Sequence, residues 1–293
     1  MSKNIRIIPR MDIKGPNVVK GVHLEGLRVV GRPELFAPKY YQDGADELLY
    51  IDCVASLYGR NSLEEIIRRA AEQIFIPLTV GGGVRTVDDV RRLLRAGADK
   101  VAINTAAIKN PKLIKDSAKA FGSQCIVISI QARKTKNGKY ECLTDYGREK
   151  TGLDVMDWAK QVVELGAGEI LITSVEKEGT GEGYDIELSR QLSEMMSIPV
   201  IASGGAGNVD DIISVIRHGK VDAVSAASIF HYRLLEYMEN AQYKEEGNID
   251  FIRSKHQESQ EVRKGIQCIS ISELKEIISK AGISCRRETG INN

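Results

Sequence analysis

The sequence is short of several things, and each shortage removes a class of function. Its 41 Lys and Arg offset 40 Asp and Glu, leaving a net charge of +1. No bulk field of either sign exists to steer nucleic acid or an anionic membrane to it. No apolar run approaches the roughly 20 residues that span a bilayer. The opening stretch, MSKNIRIIPRMDIK, carries charges among its apolar residues and reads as a strand rather than a secretory signal. The five cysteines (Cys53, Cys125, Cys142, Cys268 and Cys285) are scattered and odd in number, with no CxxC or Cys/His spacing. That pattern argues against zinc and against a disulfide scaffold. It predicts reduced thiols in a cytoplasmic protein with no metal and no resident cofactor.

What is there is an ordinary soluble balance, 42% hydrophobic and 28% charged over 293 residues, about right for one α/β barrel with an extension. Short apolar, β-branched runs at 5–13, 47–53, 78–80, 100–104, 126–132, 169–175, 200–205 and 223–228 read as strands. Between them, amphipathic stretches at 33–43, 62–73, 87–96, 111–121, 155–165, 186–196 and 209–218 read as helices, and a last one runs 272–281. Thr86, Asn110, Asp154 and Asn208 can cap N-termini, Pro111 suits a first helical position, and Gly97, Gly122, Gly166 and Gly219 follow C-termini. Eight strands alternating with eight helices predict an α/β protein, a (β/α)8 TIM barrel forming a single domain over 1–293. The polar segment 236–267 reads as an insertion before the last helix.

The chain also repeats itself. LTVGGGVRTVDDVRRLLRAGADKVAINTAA, from Leu78, matches VIASGGAGNVDDIISVIRHGKVDAVSAAS, from Val200. Both read strand, glycines, capping residue, Val-Asp-Asp, helix, strand and a small hydroxyl residue. The period is about half a barrel, so two duplicated half-barrels are expected, with the third and fourth strands equivalent to the seventh and eighth. By the same symmetry Asp12, ending the first strand, corresponds to Gln131 on the fifth. Two long loops, 14–31 and 133–152, follow those equivalent strands and belong over the C-terminal mouth, where barrels place their chemistry. Asn137-Gly138 marks a hairpin turn in the second.

In one half, Gly81-Gly82-Gly83 precedes a helix and Asn104-Thr105 ends the next strand; in the other, Gly204-Gly205 pairs with Ala227-Ser228. Glycine lets an anion reach backbone N–H groups, a helix N-terminus adds positive potential and a hydroxyl adds a donor. Each element alone is equally a tight βα turn. Two copies, each with its hydroxyl, favour a ligand with a phosphate at each end.

The stretches RIIPRMDIK, VVKG, DELLYIDCVAS, TVGGGVRT, GADKVAINTAA, FGSQ, TGLDVMDWA, GAGEILITS, GTGEGYD and IASGGAG resemble the family of imidazole glycerol phosphate synthase cyclase subunits. The resemblance covers residues 5–233 and the final helix. It implies a glutaminase partner in a heterodimer, with ammonia entering the barrel base, travelling along its axis and reacting with a bisphosphorylated ribonucleotide precursor at the mouth. By resemblance, Gly83, Asn104 and Thr105 hold one phosphate and Gly179, Gly205, Ala227 and Ser228 the other, while Lys20 and Glu178 face the substrate. Arg6, Glu47, Lys100 and Glu169 match a ring of charges at the lower entrance, read either as an ammonia gate or as a structural salt-bridge ring. Asp99 and Gln124 match positions near the docking face.

The sequence departs from that family at one decisive place. Family chemistry needs a carboxylate at the end of the first strand and another at the end of the fifth. Asp12 supplies one, but IVISIQARK offers Gln131 for the other, and an amide cannot shuttle a proton. The family's Asp-x-Asp-Gly segment reads Glu176-Lys177-Glu178-Gly179. An ammonia route with a damaged acid–base pair leads to an expectation: ammonia passes to a different acceptor, in amidation of a nucleotide-linked sugar for surface polysaccharide, with a sugar amidotransferase as a further partner. The alternatives are an ordinary cyclase of histidine biosynthesis, sustained by Asp12 or a neighbouring Glu, and the sister isomerase, which Gln131 also disfavours.

Overall fold

Along β1 (Arg6–Lys14), Ile7, Met11 and Ile13 join the outer core, whereas Ile8 belongs to a second, inner cluster, with Arg6, Arg10 and Asp12 in step with it. A strand buried on both faces with period-two alternation suits a closed parallel sheet. The structure, a computed structural model, describes residues 3–55, 63–237 and 265–286.

The barrel is built from β1 and seven further strands: β4 (Leu48–Asp52), β5 (Leu78–Gly81), β6 (Lys100–Ile103), β7 (Ile126–Lys134), β10 (Glu169–Ser174), β11 (Val200–Ser203) and β12 (Ala223–Ala226). They pair in parallel in the order β1-β4-β5-β6-β7-β10-β11-β12, and β12 returns to β1, closing the sheet. Closure leaves no barrel edge exposed. Ile8, Leu49, Ala102, Val127, Leu171, Ile201 and Ala223 belong to the cluster inside the barrel. Outside, the larger core packs the sheet against α1 (Pro33–Gln42), α2 (Glu64–Ala71), α3 (Val87–Ala96), α4 (Thr105–Lys109), α5 (Lys112–Phe121), α6 (Val155–Glu164), α7 (Ile186–Met195), α8 (Val209–Gly219), α9 (Ser228–Tyr237) and α10 (Ile271–Lys280).

The two long loops are antiparallel ribbons. β2 (Asn17–Val22) and β3 (Glu25–Gly31) continue from β1, and β8 (Tyr140–Thr144) and β9 (Glu149–Asp154) continue from β7. Asn137-Gly138 makes the expected turn: Gly138 has φ +83° and the Thr135 N–H donates to the Lys139 carbonyl.

The punctuation held in part. Thr86 and Asn208 each close a capping box with the Asp three residues on, and Asp154 caps α6. Asn110 is the C-cap of α4 rather than an N-cap, and Pro111 stands one residue before α5. Gly219 is the last residue of α8, and Lys220, at φ +57°, takes the left-handed position. The reading of 223–228 as strand ran too far. β12 stops at Ala226, and Ser228 opens α9, a helix that was not expected. The insertion expected at 236–267 falls almost wholly outside the described residues. Among the described residues no helix is long and apolar enough to cross a membrane.

Candidate functional site

The C-terminal strand ends form the mouth. In strand order β5 and β11 stand diametrically opposite each other, so the two glycine turns face across it. Gly82 and Gly205 both require glycine. At φ +106° and +111°, an added Cβ would collide with the Asp52 carbonyl and the Gly183 carbonyl respectively.

The first corner opens onto a cavity of about 300 Å³. Gly83, Asn104 and Thr105 line it as expected, with Arg85, Lys109, Ser129, Gln131, Asp145 and Tyr146. Asn104 is also engaged within the protein. Its Nδ2 donates to the Leu143 carbonyl (3.2 Å) and to Gln131 Oε1 (3.1 Å), so its donors are spent within the protein. Its Oδ1 is buried without a donor. The Asn104 amide therefore has no N–H left to offer a ligand, whereas Arg85, Lys109 and Thr105 line the same space. The Thr105 hydroxyl accepts from the Asp145 N–H at 3.0 Å.

The second corner is nearly closed, with space of about 10 Å³, room for one water. Gly179, Gly205, Ala227 and Ser228 line it as expected, joined by Arg10, Glu178, Ser203 and Ser225. Lys20, on β2, donates to Glu178 Oε1 at 2.6 Å, and both side chains are buried. Burial works to raise the Glu178 carboxyl, but Lys20 and Arg10 outweigh it and hold its pKa below the ordinary value.

Between the corners stands a residue that the motif reading overlooked. Arg10 is 2% exposed. Its Nε donates to Asp12 at 2.9 Å, and its Nη1 reaches across the lumen to Thr173 on β10 (3.1 Å) and Ser203 on β11 (3.2 Å). Burial opposes its charge, yet Asp12, Glu178 and Tyr146 more than compensate, and its pKa is raised. The Tyr146 phenol, pushed well up first by burial and then by Asp12, stays neutral beside this pair. Asp12 is therefore no free carboxylate but half of a buried ion pair. Gln131, 5% exposed, holds Asn104. The signal was in RIIPRMDIK itself: at two residues' spacing, Arg10 shares a strand face with Asp12.

At the opposite end, Arg6, Glu47, Lys100 and Glu169 come together. Arg6 meets Glu47 (3.0 Å) and Glu169 (2.5 Å), and Lys100 meets Glu47 (2.9 Å) and Glu169 (2.8 Å), with the Thr79 hydroxyl on Glu47. Beside the ring lies a hollow of about 350 Å³ lined by Ile74, Phe75, Ile76, Pro77 and Asp99 among others. Phe75 is 80% exposed. Asp99 also has a structural duty, accepting the Leu78 N–H at 2.8 Å. Gln124 is exposed and does not line the hollow.

A closed parallel barrel, repeated in halves and carrying paired glycine corners at its mouth, defines a class of duplicated (β/α)8 proteins. Within that class the chain belongs to the family described as Histidine biosynthesis protein, which it matches over residues 6–236. It is similar to the protein named "Imidazole glycerol phosphate synthase subunit HisF" of Legionella pneumophila, with 64% identity over 208 residues, 71% of this chain and 98% of that relative.

Proposed function

We propose that this chain is the synthase barrel of a glutaminase-coupled, ammonia-using enzyme whose mouth no longer performs ring-closing acid–base chemistry. The observation that carries this is the Arg10–Asp12 ion pair facing Gln131. One carboxylate of the acid–base pair is neutralised by a buried guanidinium, and the other is an amide. Losing one such group costs about 10²–10⁴ in rate. The charge ring and the exposed Phe75 hollow at the base support a partner that delivers ammonia there, which then moves along the apolar lumen. The corners at the mouth suit a phosphate-bearing acceptor, and a nucleotide-linked sugar amidated for surface polysaccharide fits a barrel that passes ammonia on.

The second reading is an ordinary cyclase forming imidazole glycerol phosphate, and the printed name of the Legionella relative favours it. The two part on one assay. The bisphosphorylated precursor is supplied with ammonium salt to the wild type and to Gln131→Asp. The first reading expects negligible wild-type turnover alongside stable pairing with a glutaminase and stimulation of its glutamine hydrolysis. A wild type as fast as the Asp variant returns the chain to histidine biosynthesis.

A further inference from the structure

The second corner contains more positive charge than a glycine turn needs. Arg10 lines it and Lys20 Nζ stands beside its Gly179 turn, both side chains buried. Arg10 spends Nε on Asp12 and Nη1 on Thr173 and Ser203, and among the described residues nothing accepts from its Nη2. The Ser225 hydroxyl, wholly buried on the same wall, has no partner either. Unused buried donors are costly and mark a place where an acceptor is expected.

The described lining of the same corner contains one anion, and it belongs to the protein. The Glu178 carboxylate bonds to Lys20, and one of its oxygens stands 3.2 Å from where a Cβ on Gly204 would be. That carboxylate lines the space of about 10 Å³. The ribbon β2–β3 is fastened over it: the His23 N–H donates to the Glu178 carbonyl at 2.7 Å, and His23 Nδ1 lies 3.1 Å from the Val175 carbonyl.

We propose that Arg10 is a specificity-determining residue of the mouth, reading the terminal phosphate of the ligand, and that Glu178 holds the phosphate's place until the ligand arrives. The four buried charges, Arg10, Lys20, Asp12 and Glu178, sum to zero. When Glu178 swings out, the corner is left with one net positive charge, the Nη2 donors, the Lys20 ammonium and the Ser225 and Ser228 hydroxyls. A phosphate monoester, with up to two negative charges and three acceptor oxygens, matches that set, and a guanidinium fork recognises it with geometry as well as charge. A neutral sugar hydroxyl or an amide supplies no counter-charge and cannot displace the carboxylate. The inference rests on the two-cornered mouth of the proposed function and adds the residue that selects the ligand's far end.

The test is calorimetric titration of the full chain with inorganic phosphate. Thr105→Val serves as the background that weakens the first corner, so that the remaining site is the second. In that background Glu178→Gln removes the internal anion and is expected to tighten phosphate binding at least tenfold. Arg10→Gln combined with Asp12→Asn removes the guanidinium without stranding a charge, and is expected to weaken it at least tenfold. Glu178→Gln alone decides the matter should the double variant fail to fold. Unchanged or weaker binding in Glu178→Gln, or wild-type affinity in a folded Arg10→Gln/Asp12→Asn protein, overturns the assignment of Arg10 and Glu178 while leaving the two-cornered mouth intact. Absence of phosphate binding at both corners of the wild type and of Glu178→Gln overturns the mouth itself.

Discussion

Arg10 and Asp12 bury opposite charges two residues apart on one strand, and such a pair matters most through what remains when half of it is removed. Arg10→Met leaves Asp12 as a lone buried carboxylate and is expected to cost about 3–5 kcal/mol. Arg10→Met with Asp12→Leu removes both charges and is expected to recover most of that loss. Urea denaturation of the three proteins checks it, and equal losses in single and double variants would contradict it. His231, on α9, is wholly buried, with Nδ1 2.5 Å from the Tyr40 hydroxyl. Burial first, then Lys20, push its imidazole down to about 3, with Glu178 pulling the other way. The unfolded chain therefore binds a proton that the folded one refuses. The associated stability is complete above about pH 6.5 and falls away as pH drops toward 3, by about 2 kcal/mol at pH 5. His231→Gln should flatten stability between pH 7 and 5, and an unaltered pH slope would assign the effect elsewhere. At this scale the sequence was partly readable. Gln131 stood out because one letter changed an acid to an amide. Arg10 did not, because its stretch was read as a match. That Asn104 spends its donors on Leu143 and Gln131 depends on a ribbon folding back over the mouth, which no local pattern encodes.

The elements were more legible than the residues, because hydrophobic period and caps are local. The repeat located both halves, and the structure gives each copy the same start. Thr86 bonds the Asp89 N–H while Asp89 reaches back, and Asn208 and Asp211 do likewise. Thr86→Ala or Asn208→Ala should each lower stability by about 1 kcal/mol, seen as a shifted denaturation midpoint with unchanged slope. What stayed hidden was the helix beginning at Ser228, where strand, turn and helix follow with no punctuating glycine or proline. The ribbons were seen as long loops, the second with a hairpin turn at Asn137-Gly138, but their strands, which extend the ends of β1 and β7, were not delimited.

For the whole molecule, the two ends of the barrel have opposite characters. The mouth is crowded by ribbons, whereas the base presents a hollow with one aromatic ring in water, Phe75, packed edge-on against Tyr41 with centroids 6.0 Å apart. Large exposed aromatics beside a surface hollow mark contact surfaces. Phe75→Glu is expected to abolish binding of the glutaminase proposed to dock there while leaving the unfolding transition where it was. Gel filtration of the mixture and a thermal melt of the variant alone check both halves of that statement, and an undisturbed complex would move the partner to another face.

The base ring is wired as a square in which each cation grips both carboxylates. A square stays connected when one corner leaves. If Lys100 swings aside, Arg6 still tethers Glu47 and Glu169, and neither acid is left bare. If Arg6 withdraws, Lys100 does the same. One side chain of the ring can thus move aside, and the barrel never has to face the cost of an abandoned charge in its floor.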